Sequence, residues 1–316
     1  MMHKEPLVSI IIPCHNAEKW IGEAIQSCLN QTYKNIEVIV INDGSTDGSL
    51  QIIEDFHKKN HKIVKYITKL NGGSSSARNY GIEISVGDYF LFLDADDLLS
   101  VNAVESFLKT ILRQNVDAAV GDWINFCDFS TKQELVSSKF FFPDDPVASL
   151  IKQPMVVSSI MVKRNDHKWN EKLVVNEGIE YFFFLFAEGY SVGYVGKVVT
   201  KIRQHQSPDR VSVLHDHFHS IKRLAVFAKY KEELRKRCFL SLQSEAALDY
   251  QILSNIYVAK KRRLKDYEKY FSSLNIKNFR LYYWYKPFGL SGFVYKLGPK
   301  IGLDSFYIIN KLLGRT

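Results

Sequence analysis

The 316-residue sequence predicts an α/β fold: a mostly parallel, doubly wound sheet with helices on both faces, followed by a helical C-terminal extension. Three observations carry that expectation. Short β-branched runs alternate with amphipathic segments through the first hundred residues, the rhythm of βα units. The run Tyr89-Phe90-Leu91-Phe92-Leu93 is apolar on both faces, as a buried parallel strand must be, and stops at Asp94, Asp96 and Asp97. From Ser220 onward the apolar residues recur at helical spacing instead.

Taken in order, Leu7 to Ile12 reads as the first strand, ended by Pro13-Cys14-His15-Asn16. Ala17 to Leu29 follows as an amphipathic helix with Trp20, Ile21, Ala24, Ile25 and Cys28 on one face and Asn16 as its N-cap. Ile36 to Ile41 is a second strand, and Asn42-Asp43-Gly44-Ser45 turns into a helix over Leu50 to Lys59. Ile63 to Thr68 is a third strand. The turn Asn71-Gly72-Gly73-Ser74-Ser75-Ser76 leads to a helix bearing Ala77-Arg78-Asn79-Tyr80. After the carboxylates come a helix over Val101 to Arg113 and strands at Val156–Val162 and Val192–Val199. Right-handed crossovers place the loops after the parallel strands on one sheet edge, where such folds bind ligands.

Composition narrows the function classes. Hydrophobic residues make up 46% and charged residues 24%, which describes a globular chain. Cys14, Cys28, Cys127 and Cys238 are scattered, without a CxxC, so neither a zinc site nor a disulfide scaffold is expected and a reducing, cytoplasmic setting fits. The amino-terminal apolar run is too short for a signal peptide, and no run is long enough to span a bilayer. Residues 1–220 hold 22 Lys/Arg against 27 Asp/Glu, a balance of −5, and residues 221–316 hold 20 against 7, a balance of +13. The two parts are therefore expected to meet different partners: a metal and nucleotide first, an anionic surface or acceptor second. The first strand-to-helix turn lacks GxGxxG and the chain lacks GxxxxGK[ST], which argues against a dinucleotide cofactor or a P-loop.

Asp94, Asp96 and Asp97 repel one another unless a cation or hydrogen-bond donors neutralise them. They suit a hard divalent metal and a sugar hydroxyl. A solvated turn in which Asp97 caps the next helix explains the same residues without chemistry.

Five segments decide between these readings: Ser9-Ile-Ile-Ile-Pro13-Cys-His-Asn16, Asn30-Gln-Thr-Tyr-Lys-Asn-Ile-Glu37, Asp43-Gly-Ser-Thr-Asp47, Gly73-Ser-Ser-Ser-Ala-Arg78-Asn79 and Asp94-Ala-Asp-Asp97. In this order and spacing the chain resembles the nucleotide-sugar-dependent glycosyltransferases of the GT-A fold, family 2, strongly over about the first hundred residues and more weakly to about His205. The resemblance implies a nucleotide-sugar site at Pro13, His15, Asn16, Asp43, Arg78, Asp94 and Ala95. In it His15 stacks on the uracil, Asp43 accepts the uracil N3–H, Arg78 lies near base and diphosphate, and Asp94 binds the ribose. It implies Asp96 and His205 as ligands of Mn2+ or Mg2+. A helix-start Glu-Asp pair supplies the family's catalytic base, but here Glu177 is followed by Gly178. Either Glu177 or Glu180 takes that role, or the base is missing. Neighbouring helix positions point about 100° apart, so Glu177 does not simply replace its neighbour.

The implied reaction is inverting transfer of a hexose from a UDP-sugar to a hydroxyl of a growing glycan, glycolipid or glycoprotein. A sugar-1-phosphate nucleotidyltransferase would need an early glycine-rich, arginine-bearing loop that is absent. A non-catalytic glycan- or partner-binding relative remains the alternative, supported by the broken Glu-Asp pair. No nucleic-acid partner is expected. The domain boundary is placed at 219/220. Residues 220–316, with Tyr282-Tyr283-Trp284-Tyr285 among lysines, suit peripheral contact at the inner face of a membrane, a sugar-stacking platform or a self-association surface. They equally suit an aromatic packing face with solvated lysines. His215, His217 and His219 form an HxHxH run, expected to be the solvated approach to a helix.

Overall fold

The computed structural model describes residues 5–128, 130–136, 145–152, 155–173, 177–205 and 219–236, with Ser244 and Leu248. The chain divides into two compact units. One comprises Met1–Pro143 and Gln153–Gln206; the other comprises Asp144–Lys152 and Ser207–Thr316.

The first unit is built on β1 (Val8–Cys14), β2 (Ile36–Asp43), β3 (Val64–Lys69), β4 (Tyr89–Phe92), β5 (Leu98–Leu99), β6 (Ala118–Cys127), β7 (Ser130–Val136), β8 (Ile160–Lys163) and β9 (Val192–Arg203). They form one sheet in the order β3-β2-β1-β4-β8-β6-β9-β5, with β7 paired to β6. β3, β2, β1 and β4 are mutually parallel. β8 runs antiparallel to both β4 and β6, and β9 lies parallel to β6. The carboxyl ends of β1–β4 and of β9 therefore share one edge.

Between the strands lie α1 (Ile21–Leu29), α2 (Ser49–Asn60), α3 (Ser74–Ile84), α4 (Ala103–Gln114) and α6 (Glu177–Ala187). Strand alternation decides which helix covers which face. Ile10, Ile12, Leu91 and Leu93 pack into one core with α1, α4 and Ile53 of α2. Ile39 and Ile41 pack with Ala77 of α3 on the opposite face. There α3 lies so close that a Cβ on Gly81 would come 2.4 Å from Ile11 Cγ2, so only glycine permits the approach. Phe92, in register with Ile11, meets Trp169 and Tyr181 edge-on at 5.0 and 5.6 Å.

The strands fall where their apolar runs lie, and four local expectations are corrected. Helix α1 begins at Ile21 rather than Ala17, and Trp20, not Asn16, occupies the N-cap. Asn16 instead takes a left-handed conformation at φ 49°, with its N–H donated to the Ser45 hydroxyl and that of Ala17 to Ser49. Asp97 caps no helix, because Leu98 and Leu99 form β5 against β9 and α4 starts later. The segment Val156–Val162 is a 3₁₀ turn over Val157–Ser159 before β8, since Ser159 donates its N–H back to the Val156 carbonyl.

In the second unit, α5 (Pro146–Lys152) is capped by Asp145, whose Oδ1 accepts the Ala148 N–H and the Ser244 hydroxyl, each at 2.8 Å. α7 (His219–Lys236) buries Phe227, Tyr230 and Leu234 and covers the first part of the expected helical region; of the rest, only Ser244 and Leu248 are described. His215, His217, Cys238 and the aromatic cluster Tyr282–Tyr285 lie outside the described residues.

Candidate active site

At the shared edge the loops after β1 and β2 interlock. Asn16 Oδ1 accepts the Thr46 N–H at 2.8 Å, Asp47 accepts the Glu18 N–H at 3.0 Å, and Glu18 accepts the Gly48 N–H at 2.7 Å. Burial pushes the Asp47 carboxyl up, but the Ser49 hydroxyl and the Glu18 and Ser49 amides hold it below the usual range. Pro13 is partly buried and His15 is exposed beside this loop. Burial pushes the Cys14 thiol up to about 12, so it serves as packing and not as a nucleophile.

Asp43 ends β2 almost fully buried. Its carboxylate accepts Lys69 Nζ at 2.5 Å and the N–H groups of Gly72 and Gly73 at 3.0 and 2.7 Å. Asp43 thus shapes the loop that opens α3.

Arg78 lies on α3, one turn in, and is 3% exposed. Its Nη2 donates to Asp94 Oδ1 at 2.7 Å, and its Nη1 stands 3.5 Å from Glu177 Oε1. The guanidinium lies 4.5 Å over the Trp169 ring. Nε and Nη1, like Trp169 Nε1, are buried and make no hydrogen bond among the described residues. Buried donors of this kind cost free energy until an acceptor arrives, and phosphate oxygens are suited to a guanidinium. Asn79 fixes the Trp169 loop: its amide donates to the Trp169 carbonyl at 3.0 Å and accepts the Trp169 N–H at 2.7 Å.

The three carboxylates escape mutual repulsion by taking separate partners. Asp94 pairs with Arg78, Asp96 Oδ2 lies 2.9 Å from His205 Nε2, and Asp97 accepts the Arg203 N–H at 3.0 Å. Ala95 between them is buried. The His205 ring stacks on Trp20 at 4.2 Å. Asp96 and His205 offer one carboxylate and one imidazole to a divalent cation. No group of three or more His, Cys, Asp or Glu is spaced for a metal among the described residues. Two side chains do not complete a coordination shell, so a divalent cation at this pair would need phosphate and water oxygens to fill its other positions.

Glu177 opens α6, held by Arg78 and by the Ser74 hydroxyl at 3.3 Å. Gly178 follows because a Cβ there would come 2.5 Å from Val157 Cγ2. Packing thus fills the place where the family pattern has Asp. Glu180 lies in the same first turn and is buried.

Sequence reasoning did not single out Trp169, Trp20 or Arg203 as site residues. Asn79 stands inside a quoted segment, but nothing local marks a lone tryptophan as the platform for an arginine 91 positions away.

Comparison with known proteins bears on the family and the fold. The model of "Glycosyl transferase family 2" matches residues 9–174, just over half of the chain. An uncharacterized glycosyltransferase of Haemophilus influenzae is 42% identical over 128 residues, 40% of this chain and 51% of the relative. The glycosyltransferase GlyA of Streptococcus pneumoniae is 40% identical over 119 residues, 38% of this chain and 17% of the relative. The matched stretch thus spans about half or less of these relatives' lengths. The crystal structure of S. aureus TarS 1-349 in complex with UDP-GlcNAc superposes with a TM-score of 0.60 at 19% identity, covering 80% of this chain and 72% of that one, and bears out the GT-A fold. The chain belongs to glycosyl transferase family 2.

Proposed function

We propose that this family 2 chain is an inverting, metal-dependent glycosyltransferase that moves a hexose from a UDP-sugar to a hydroxyl of a growing glycan, glycolipid or glycoprotein. The observation that carries the reading is Arg78: a buried guanidinium with unspent donors, flanked by Asp94 at 2.7 Å and Glu177 at 3.5 Å. It supplies an anion-binding group between a carboxylate suited to ribose and one suited to a proton. The UDP-GlcNAc bound by TarS, of like fold, supports a uridine donor.

In this reading His15 and Asp43 hold the uracil, the loop of Pro13 and Asn16 borders it, and Arg78 neutralises diphosphate charge. Asp96 and His205 would hold Mn2+ or Mg2+, which would supply positive charge to offset the negative charge of the departing diphosphate. Glu177 takes the acceptor hydroxyl proton as the acceptor oxygen bonds to the anomeric carbon. The bond from that carbon to the diphosphate oxygen breaks on the opposite face, and UDP leaves with the bonding pair. Glu180, buried in the same first turn of α6, is the lesser candidate for the base.

The decisive experiment is a panel of UDP- and GDP-sugars assayed for turnover with Mn2+, Mg2+ or EDTA. Metal-dependent consumption of one UDP-sugar is expected; consumption confined to GDP-sugars would overturn the donor assignment. Gly178 favours one second reading, a non-catalytic glycan-binding protein, because the family's paired Asp is absent. Nucleotide binding without hydrolysis or transfer of any donor would establish it.

Residues 220–316 form the second region in this proposal, and their positive balance suits an anionic surface on the cytoplasmic face of a membrane. No described helix is long and apolar enough to cross a membrane. Binding of the full chain to anionic vesicles should weaken with salt, since such attraction is screened within a Debye length. Salt-independent or absent binding would assign the region to acceptor contact or self-association, which sedimentation distinguishes.

A further inference from the structure

Arg203 ends β9 and is among the largest fully buried side chains, yet no step above uses it. Its Nε donates to the Asp96 carbonyl at 3.0 Å, and its main-chain N–H to Asp97 Oδ1 at 3.0 Å. Its Nη2 donates to Glu23 Oε2 of α1 at 2.7 Å, and its Nη1 to Asp128 just beyond β6. The guanidinium lies 4.7 Å over the Phe126 ring. One side chain therefore ties the acid turn after β4 to the first helix and to the end of β6.

Burying a guanidinium is costly, and well-packed apolar groups usually stabilise a core as well or better. What the fork supplies is direction: its donors are rigidly spaced, so their acceptors are too. His205 lies two residues beyond Arg203 on the same chain and faces Asp96 at 2.9 Å, with Trp20 stacked on its ring. The residue that grips the Asp96 main chain and the imidazole that meets the Asp96 carboxylate therefore share one short segment.

We propose that Arg203 is a positioning residue, holding the Asp94–Asp97 turn so that Asp96 and His205 present a preformed half-site to a divalent cation. The inference rests on the metal-dependent reading above. Its test is Mn2+ binding, followed by electron paramagnetic resonance in the presence of UDP, for the wild type, Arg203→Lys and Glu23→Ala. UDP affinity in EDTA and thermal melting are measured alongside. Arg203→Lys keeps the charge but loses the fork, and should weaken Mn2+ binding by about tenfold or more, the usual effect of losing an outer partner of a metal ligand. UDP affinity in EDTA should stay within about twofold of wild type, because the groups proposed to hold uracil lie elsewhere. Glu23→Ala, at an exposed carboxylate, should show the same selective loss at about two- to threefold.

Wild-type Mn2+ affinity in Arg203→Lys would overturn the inference, and so would an equal loss of UDP binding in EDTA, which marks general collapse. If Arg203→Lys does not fold, unchanged Mn2+ affinity in Glu23→Ala overturns it. Wild-type protein that binds UDP but no Mn2+ would bring down the metal reading itself, a result distinguishable from variants that match a metal-binding wild type.

Discussion

Asp94, Asp96 and Asp97 each meet a different partner at 2.7 to 3.0 Å, and Arg203 grips the main chain between them. Among the described residues Glu177, across Arg78 from Asp94, meets a hydroxyl at 3.3 Å and a guanidinium at 3.5 Å. The turn proposed to hold the leaving group is locked, while the proposed base sits in a looser cradle at a helix start. Electrostatic stabilisation works best from groups fixed beforehand, whereas a base engages its proton only once the acceptor has arrived.

The sharpest way to test that contrast is at the looser carboxylate. Glu177→Gln keeps size and hydrogen bonding but cannot take a proton, so transfer should fall by about a thousandfold. UDP affinity, measured by calorimetry, should fall far less than transfer, because among the described residues Glu177 meets the nucleotide side only through Arg78 at 3.5 Å. Glu180→Gln should be milder. A dead Glu180→Gln with an active Glu177→Gln would exchange their roles.

On the locked side, Asp96→Asn should lower turnover by at least about a hundredfold, since the cation supplies several kcal/mol to departure of the diphosphate. UDP should bind more weakly in Mn2+ and equally well in EDTA. Turnover equal to wild type would remove Asp96 from the metal site.

A smaller effect, on stability, separates packing from chemistry beside Glu177. Gly178→Ala brings a Cβ against Val157 and should cost about 1–2 kcal/mol in urea unfolding, after allowing for alanine's better helix propensity. Adding Val157→Ala should recover part of that loss. Additive destabilisation by the two changes would show that the contact does not determine glycine.

The smallest expected signal is chemical. Burial raises the Cys14 and Cys28 thiols to about 12, so neither should react with a thiol reagent at neutral pH in the folded chain. Reaction of Cys14 at the rate of an exposed thiol would mean that the β1 loop opens, and the donor side would be less rigid than its hydrogen bonds imply.

Strands β1, β2 and β4 were legible because a parallel strand buried on both faces is nearly all apolar, and Val38–Ile41 and Tyr89–Leu93 carry that mark in any context. The carboxylate turn was legible for the same reason: a buried run ends where charge begins. The start of α1 was not, since the hydroxyls of Ser45 and Ser49 take the N–H groups of Asn16 and Ala17 from a loop 29 to 32 positions away.

By itself, then, the sequence determined the strand and helix periods, the family, and the residues gathered at the carboxyl edge. Only the tertiary structure decided their partners: Asp94 with Arg78, Asp96 with His205, and Asp97 with an arginine that also reaches Glu23, 180 positions distant. It also decided that Gly178 fills a place that Val157 would deny to a side chain. The physical reason is range. Periodicity follows from backbone geometry over a few residues, whereas a charge finds its partner only after the sheet has brought remote loops together.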